Sequence, residues 1–228
     1  AGSVRAVVFE RYGGPEVLRL ADVETPTPAE GEVLVRIAAA GVATGDRHVM
    51  RGQPFLVRLV FGLRRPRLRI LGSDVSGRVE AVGPGVSSPR VGDEGFGSTA
   101  THGFGGFAEY VAAPAEAFVP KPAGSSHVEA AAVPGSALTA LQALRRGGVS
   151  REAGAGVRVL INGASGGVGT FAVQIARAYG AHVTGVCSGR NIDLVRALGA
   201  ERVIDYTAED FRTGGEVWDA IIDAAAHR

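Results

Sequence analysis

The stretch Val157-Arg-Val-Leu-Ile-Asn-Gly-Ala-Ser-Gly-Gly-Val-Gly169 decides how this chain is read. Val157, Val159, Leu160 and Ile161 predict a short buried strand, residues 162–167 a tight turn, and residues 168–179 a helix. Phe171, Val173, Ile175 and Ala176 supply the apolar residues of that helix. Strand, glycine turn and helix in this order make the phosphate-binding corner of a dinucleotide fold. Ala164 stands where the fingerprint's first glycine makes the turn. Gly166 lacks a Cβ, so a pyrophosphate can approach the backbone, and Gly169 lets the helix pack closely on the strand. The helix N-terminus adds unpaired N–H groups and a positive dipole end. The candidate cofactor residues of this corner are Asn162, Ala164, Ser165, Gly166, Gly167, Val168 and Gly169.

A glycine triplet alone also fits a surface turn. The continuation of the chain favours the dinucleotide reading. Residues 182–187 form a second apolar strand, 192–198 a short helix ended by Gly199, 202–205 a third strand and 218–224 a fourth. Strands alternating with helices imply a parallel sheet. A complete dinucleotide domain has six strands in two halves. The chain stops at Arg228, so it reads as an α/β domain that lacks most of its second half.

The end of the second strand bears on the choice of cofactor. An NAD-binding fold places an Asp or Glu there, on the ribose 2′-hydroxyl. This chain has Val186-Cys187-Ser188-Gly189-Arg190, and no carboxylate until Asp193 in the next helix. Ser188 can hydrogen-bond a 2′-phosphate and Arg190 can neutralise it. Arg190 is also compatible with a solvent-facing residue of the helix's first turn. NADPH is the cofactor expected.

Composition narrows the class. With 228 residues, 46% of them hydrophobic, the chain can fill one large domain or two small ones. Its 24 basic and 23 acidic residues nearly cancel, which argues against a nucleic-acid partner. A single cysteine, Cys187, rules out a disulfide framework and a cysteine-rich zinc site. No apolar run reaches the length of a membrane helix and no signal peptide is visible, so a cytoplasmic protein is expected.

The first half is punctuated by glycine and proline. Strands are predicted over residues 4–9, 17–20, 32–39, 71–82 and 106–112, with a loop and short helix over 41–52. This describes a compact β-rich domain, a partly open barrel. Ser126 with Glu129 forms a capping-box pattern before a helical stretch over 130–144, which Pro134-Gly135 breaks in two. The domain boundary falls near residue 124: a catalytic domain over 1–124 and an incomplete cofactor domain over 125–228.

Eight short motifs together resemble the medium-chain dehydrogenase/reductase superfamily, in its zinc-free quinone oxidoreductase branch, which includes zeta-crystallin. They are Tyr12-Gly-Gly-Pro-Glu-Val-Leu18, Gly72-Ser-Asp-Val-Ser-Gly77, Val91-Gly-Asp93, Gly106-Phe-Ala-Glu-Tyr110, Ala131-Ala-Val-Pro134, residues 162–169, Gln174-Ile-Ala-Arg-Ala-Tyr-Gly180 and Val203-Ile-Asp-Tyr206. The resemblance implies a GroES-like catalytic domain, a Rossmann-type NADPH domain, and hydride transfer to a quinone, an enone or an acyl thioester. It places Tyr206 over the 2′-phosphate. It also implies a homodimer for the full-length protein, because late strands of the cofactor domain pair between subunits.

The zinc-dependent relatives carry Cys where this chain has Ala43, and Gly-His-Glu where it has Gly72-Ser73-Asp74. His48, His102, His127, His182 and His227 show no ligand spacing, so no metal is expected. In the family's active-site loop an Asn and a Tyr are replaced by Ala43 and His48, leaving Thr44, Asp46 and His48 as the candidate catalytic residues. Asp46 is alternatively structural, and His48 is either a proton donor or an exposed helix histidine. Arg58, Arg64, Arg65, Arg67 and Arg69 form either a solvated face or an entrance for an anionic substrate. Two functions follow from these readings: an NADPH-dependent reductase, or a nucleotide-binding protein of the same fold without turnover.

Overall fold

The structure, a computed structural model, describes residues 2–213 and 215–225. His227 lies outside the described residues. The chain divides into two compact units, Ala1–Gly135 and Ser136–Arg228.

In the first unit, β1 (Ser3–Val8) and β2 (Arg19–Glu24) form an antiparallel ribbon. The other strands are β3 (Glu32–Gly41), β4 (Asp74–Val82), β5 (Glu94–Ser98), β6 (Tyr110–Pro114) and β7 (Phe118–Pro120). They make an antiparallel sheet in the order β6-β3-β4-β5-β7. Val33, Val35, Val75, Val79, Val111 and Phe118 are buried on it. Helices α1 (Thr44–Arg51) and α2 (Leu56–Phe61) lie in the connection from β3 to β4. Val49 and Met50 of α1 join Phe9, Leu71 and Phe104 in a second cluster. Helix α3 (His127–Ala131) packs on β3 and β4 and so belongs with this unit.

Three predicted strands shift for local reasons. Pro15 fixes a helical φ, so Pro15–Val17 is a 3₁₀ turn and β2 starts at Arg19. Gly72 adopts φ +86, which ends the extended run and delays β4 to Asp74. Residues 106–109 bond to β1, Leu71 and Gly72, and the Glu109 carbonyl accepts from Ile37 N–H of β3; strand pairing with β3 then runs from Tyr110. The capping box is as expected: Ser126 Oγ accepts from Glu129 N–H at 3.2 Å, and Glu129 Oε2 from Ser126 N–H at 2.8 Å. The helical stretch breaks before Pro134, where α4 (Pro134–Arg146) begins.

The second unit contains β8 (Arg158–Asn162), α5 (Gly167–Ala178), β9 (His182–Cys187), α6 (Ile192–Ala197), β10 (Arg202–Asp205) and β11 (Ala220–Asp223). All four strands are parallel, in the order β10-β9-β8-β11. Counted within the unit this is 3-2-1-4, the beginning of a Rossmann-type sheet. Val159, Leu160 and Ile161 of β8 are all fully buried, because both faces of the strand are covered. Val159 and Ile161 meet Ala172, Val173 and Ala176 on one side, and Leu160 meets Val186 and Ile204 on the other. Each such aliphatic side chain contributes roughly 1.5–3 kcal/mol.

Candidate cofactor and active site

The corner after β8 has the geometry of a phosphate cradle, with one correction to the sequence reading. The left-handed turn residue is Gly163 (φ +76), not Ala164. The N–H groups of Gly163 and Ala164 both donate to the Val186 carbonyl, at 3.1 and 2.9 Å. That tie turns the Ala164 methyl into the core, toward Gly185 of β9. Gly166 and Gly167 are exposed, and α5 starts at Gly167 without a side-chain cap. A Cβ on Gly166 would meet only the Gly163 carbonyl oxygen, at 3.3 Å, so its outer side is open. A Cβ on Gly169 would overlap that same oxygen and stand 2.8 Å from Ala164 Cα. Gly169 is therefore a packing glycine and Gly166 an approach glycine.

A cavity of about 550 Å³ opens at the carboxyl ends of β8 and β11. Asn162, Ser165, Gly166 and Tyr206 line it, as the sequence reading brings them together, along with Phe211 and Arg212, which that reading missed. Asn162 Nδ2 donates to Asp223 Oδ1 at 3.0 Å, bridging the two strand ends. Crevices at this point of open parallel sheets hold ligands. Asp210 accepts from Arg212 Nη2 at 2.7 Å and Nε at 2.8 Å. These bonds pull the Asp210 carboxyl down to about 2.

Ser188 and Arg190 follow β9. Arg190 sits in a 3₁₀ turn, Gly189–Asn191, exposed and, among the described residues, without an ion-pair or hydrogen-bond partner. The sheet also brings in a carboxylate the sequence reading overlooked. Asp205 ends β10, beside the end of β9, and a Cβ on Gly189 would stand 2.5 Å from its Oδ2. Its Oδ1 accepts from Thr207 Oγ1 at 2.7 Å and Thr207 N–H at 2.9 Å, and these bonds hold the carboxyl below its usual range. Cys187 is buried, and burial, with Asp205 nearby, pushes its thiol up, so it is a neutral thiol near pH 7.

The loop entering α1 carries Thr44, Asp46 and His48. Thr44 is exposed. Asp46 is buried, with one oxygen accepting from Ala43 N–H at 2.8 Å and the other from Gly72 N–H at 2.9 Å. Desolvation pushes its carboxyl up, the two N–H bonds oppose this, and Asp74 adds to the rise. The carboxylate thus clamps the two loops that follow β3 and precede β4. Asp46→Asn retains one acceptor and turns an NH₂ against the other N–H. It is expected to cost about 1–2 kcal/mol, read as a drop in thermal midpoint. His48 Nδ1 lies 2.9 Å from the Gln53 carbonyl, so Nδ1 carries the hydrogen of that bond and Nε2 has no partner among the described residues.

Ala43 offers no metal donor. Asp74 Oδ2 accepts from Gly135 N–H at 3.0 Å. His102, His127 and His182 are bonded to Thr101, Ser76 and Glu201 respectively. Among the described residues no three His, Cys, Asp or Glu side chains gather as a metal site. None of the helices searched among those residues is long and apolar enough to cross a membrane.

Known proteins share this arrangement. Residues 29–123 match the family model described as the alcohol dehydrogenase GroES-like domain, and residues 167–228 the one described as zinc-binding dehydrogenase. The chain is 36% identical over 231 residues to the chloroplast envelope quinone oxidoreductase homolog of Arabidopsis thaliana, covering 97% of this chain and 68% of that protein. It is 40% identical over 186 residues to the trans-enoyl reductase pgmF of Aspergillus terreus, covering 78% of this chain and 50% of that one. The structure of the quinone oxidoreductase from Coxiella burnetii superposes with a TM-score of 0.86 at 34% identity, covering 97% of this chain and 68% of that one. The chain belongs to the medium-chain dehydrogenase/reductase superfamily, among its quinone oxidoreductases.

Proposed function

We propose that this chain is an NADPH-dependent oxidoreductase that works without zinc and reduces a quinone, an enone or an enoyl thioester. Its relatives named as quinone oxidoreductases, NAD(P)H oxidoreductases and an enoyl reductase support the coarser statement, a nicotinamide-dependent oxidoreductase. One observation carries the reading: the uncapped, glycine-lined start of α5 faces outward beside a cavity at the strand ends. Such a helix start binds phosphate. Asn162, Gly166, Gly167 and Val168 would hold the pyrophosphate and Ser165 would face the ribose phosphate, with Ala164 and Gly169 shaping the backbone beneath. When bound, the dihydronicotinamide supplies the hydride.

Catalytic zinc needs about three protein ligands and an open position. Ala43, Ser73 and Asp74 do not fit that requirement, because only one of them is a carboxylate and none is Cys or His. We assign the proton to a side chain of the loop entering α1. Asp46 spends both oxygens on backbone N–H groups, so we assign it to holding the loop. His48, with Nε2 unspent, is the proposed donor, and Thr44 the polar neighbour that orients substrate.

Ser188, Arg190 and Tyr206 favour NADPH over NADH. Asp205 is the nearest rival acid, and its Oδ1 is already taken by Thr207. Arg190→Ala should weaken NADPH about tenfold and leave NADH nearly unchanged, since a charge-assisted bond contributes on that scale. Fluorescence titration with each cofactor measures it. Equal affinity of the unmutated protein for both would remove the 2′-phosphate reading.

The function itself is tested by following NADPH oxidation with a panel of quinones, enones and enoyl thioesters. Turnover with one class names the substrate class. Tight NADPH binding with no turnover across the panel would instead make this a nucleotide-binding protein of the same fold.

A further inference from the structure

Asn191 joins two loops that the sequence treats separately. Its Nδ2 lies 3.1 Å from Ser165 Oγ, in the glycine turn after β8, and 3.2 Å from Ser188 Oγ, at the end of β9. Its backbone N–H donates to the Ser188 carbonyl at 2.9 Å, which fixes the side chain at its base. A carboxamide nitrogen carries two hydrogens and accepts nothing. Each serine oxygen therefore accepts one hydrogen and keeps its own O–H to donate. Among the described residues neither serine hydroxyl has an acceptor for that hydrogen, whereas Ser76 and Ser126 each do. Two unspent O–H donors thus flank the Asn191 amide, and the residue before it, Arg190, is an exposed cation without a partner among the described residues. Donors and a cation gathered in this way suit a dianionic oxyanion group.

We propose that Asn191 is a positioning residue that holds Ser165 and Ser188 as a pair of hydroxyl donors for the ribose 2′-phosphate. This rests on the NADPH reading above. Asn191 acts through the serines: by occupying their lone pairs it points their hydrogens outward. A carboxylate at this position would do the reverse. It would take both hydroxyl hydrogens and set a negative charge against the phosphate.

The experiment compares dissociation constants for NADPH and NADH in the unmutated protein, Asn191→Asp, Asn191→Ala and the Ser165→Ala/Ser188→Ala pair, with thermal midpoints measured without cofactor. Asn191→Asp is expected to lose about a hundredfold in NADPH affinity and less than about threefold in NADH. Asn191→Ala should lose about tenfold for NADPH, and little more when added to the serine pair, because its effect runs through them. A loop staple with no part in recognition would lower the thermal midpoint and weaken both cofactors alike, and that result overturns the inference. If Asn191→Asp does not fold, the serine pair reads the same ratio, and an unchanged ratio overturns it equally. An unmutated protein with no preference for NADPH removes the NADPH reading and this inference with it. A preference that survives Asn191→Asp removes this inference alone.

Discussion

Gly169→Val is expected to abolish detectable cofactor binding and to destabilise the second unit by about 3 kcal/mol, the upper end of what overpacking costs. Gly169 is buried three residues into the start of α5, where the helix leans on the turn. Its missing Cβ would occupy the place of the Gly163 carbonyl oxygen and press on Ala164 Cα at 2.8 Å. Both obstacles are backbone, so no side-chain rotation relieves the overlap. To admit valine, α5 must lift from the end of β8, and the N–H groups proposed to hold the phosphates move with it. Gly166→Ala is the matched control. Its φ is −80 and its Cβ would meet a single atom at 3.3 Å, so the variant should fold with little change in thermal midpoint. Its methyl would nonetheless stand where a pyrophosphate approaches, and cofactor affinity should fall about tenfold, read against the energy scale of one lost charge-assisted bond. Calorimetry for stability and fluorescence titration for affinity separate the two glycines. A Gly169→Val protein that melts like the parent would mean that the corner is looser than its close contacts imply.

His48→Ala is expected to slow turnover about a hundredfold with little change in cofactor affinity, the usual scale for losing a general acid. The imidazole is half-buried, and its Nδ1–H is held on the Gln53 carbonyl. That bond fixes the ring and leaves Nε2 without a hydrogen-bond partner among the described residues. Removing the ring deletes both the proposed proton donor and the Gln53 contact, so a second variant is needed. Asn at position 48 can restore an N–H donor near the Nδ1 position but cannot act as an acid. If His48 supplies the proton, His48→Asn should be as slow as His48→Ala. If His48 only braces the loop, His48→Asn should recover most of the rate.

Much of the fold was legible in the sequence because its signals are local. Three consecutive aliphatic residues in β8 predict a strand covered on both faces, and the glycine turn behind them predicts a helix start. Ser126 and Glu129 lie three residues apart, so their reciprocal capping bonds could be read from spacing alone. The alternation of strands and helices from Val157 onward fixes a parallel sheet, which the strand order then shows as 3-2-1-4. Boundaries were less legible where one residue's backbone overrode the apolar pattern, as Pro15 and Gly72 do.

The assembly of the candidate site was decided by tertiary structure. Asp46 reaches the Gly72 N–H across the whole β3–β4 connection, which makes a residue of the presumed catalytic loop into a clamp. Asp205 bears on the end of β9 only because β10 lies next to it in the sheet. Asn191 touches Ser165 only because β9 lies next to β8. Residues near in sequence share a helix turn or a hydrogen-bonded loop, and side-chain type at fixed spacing reports that directly. Residues on loops after different strands meet according to strand order and register, which are set by burial of the whole sheet. For this protein the sequence determined the glycine corner and its family. The sheet decided which side chains stand around that corner, because hydrogen-bond partners are chosen by distance in space.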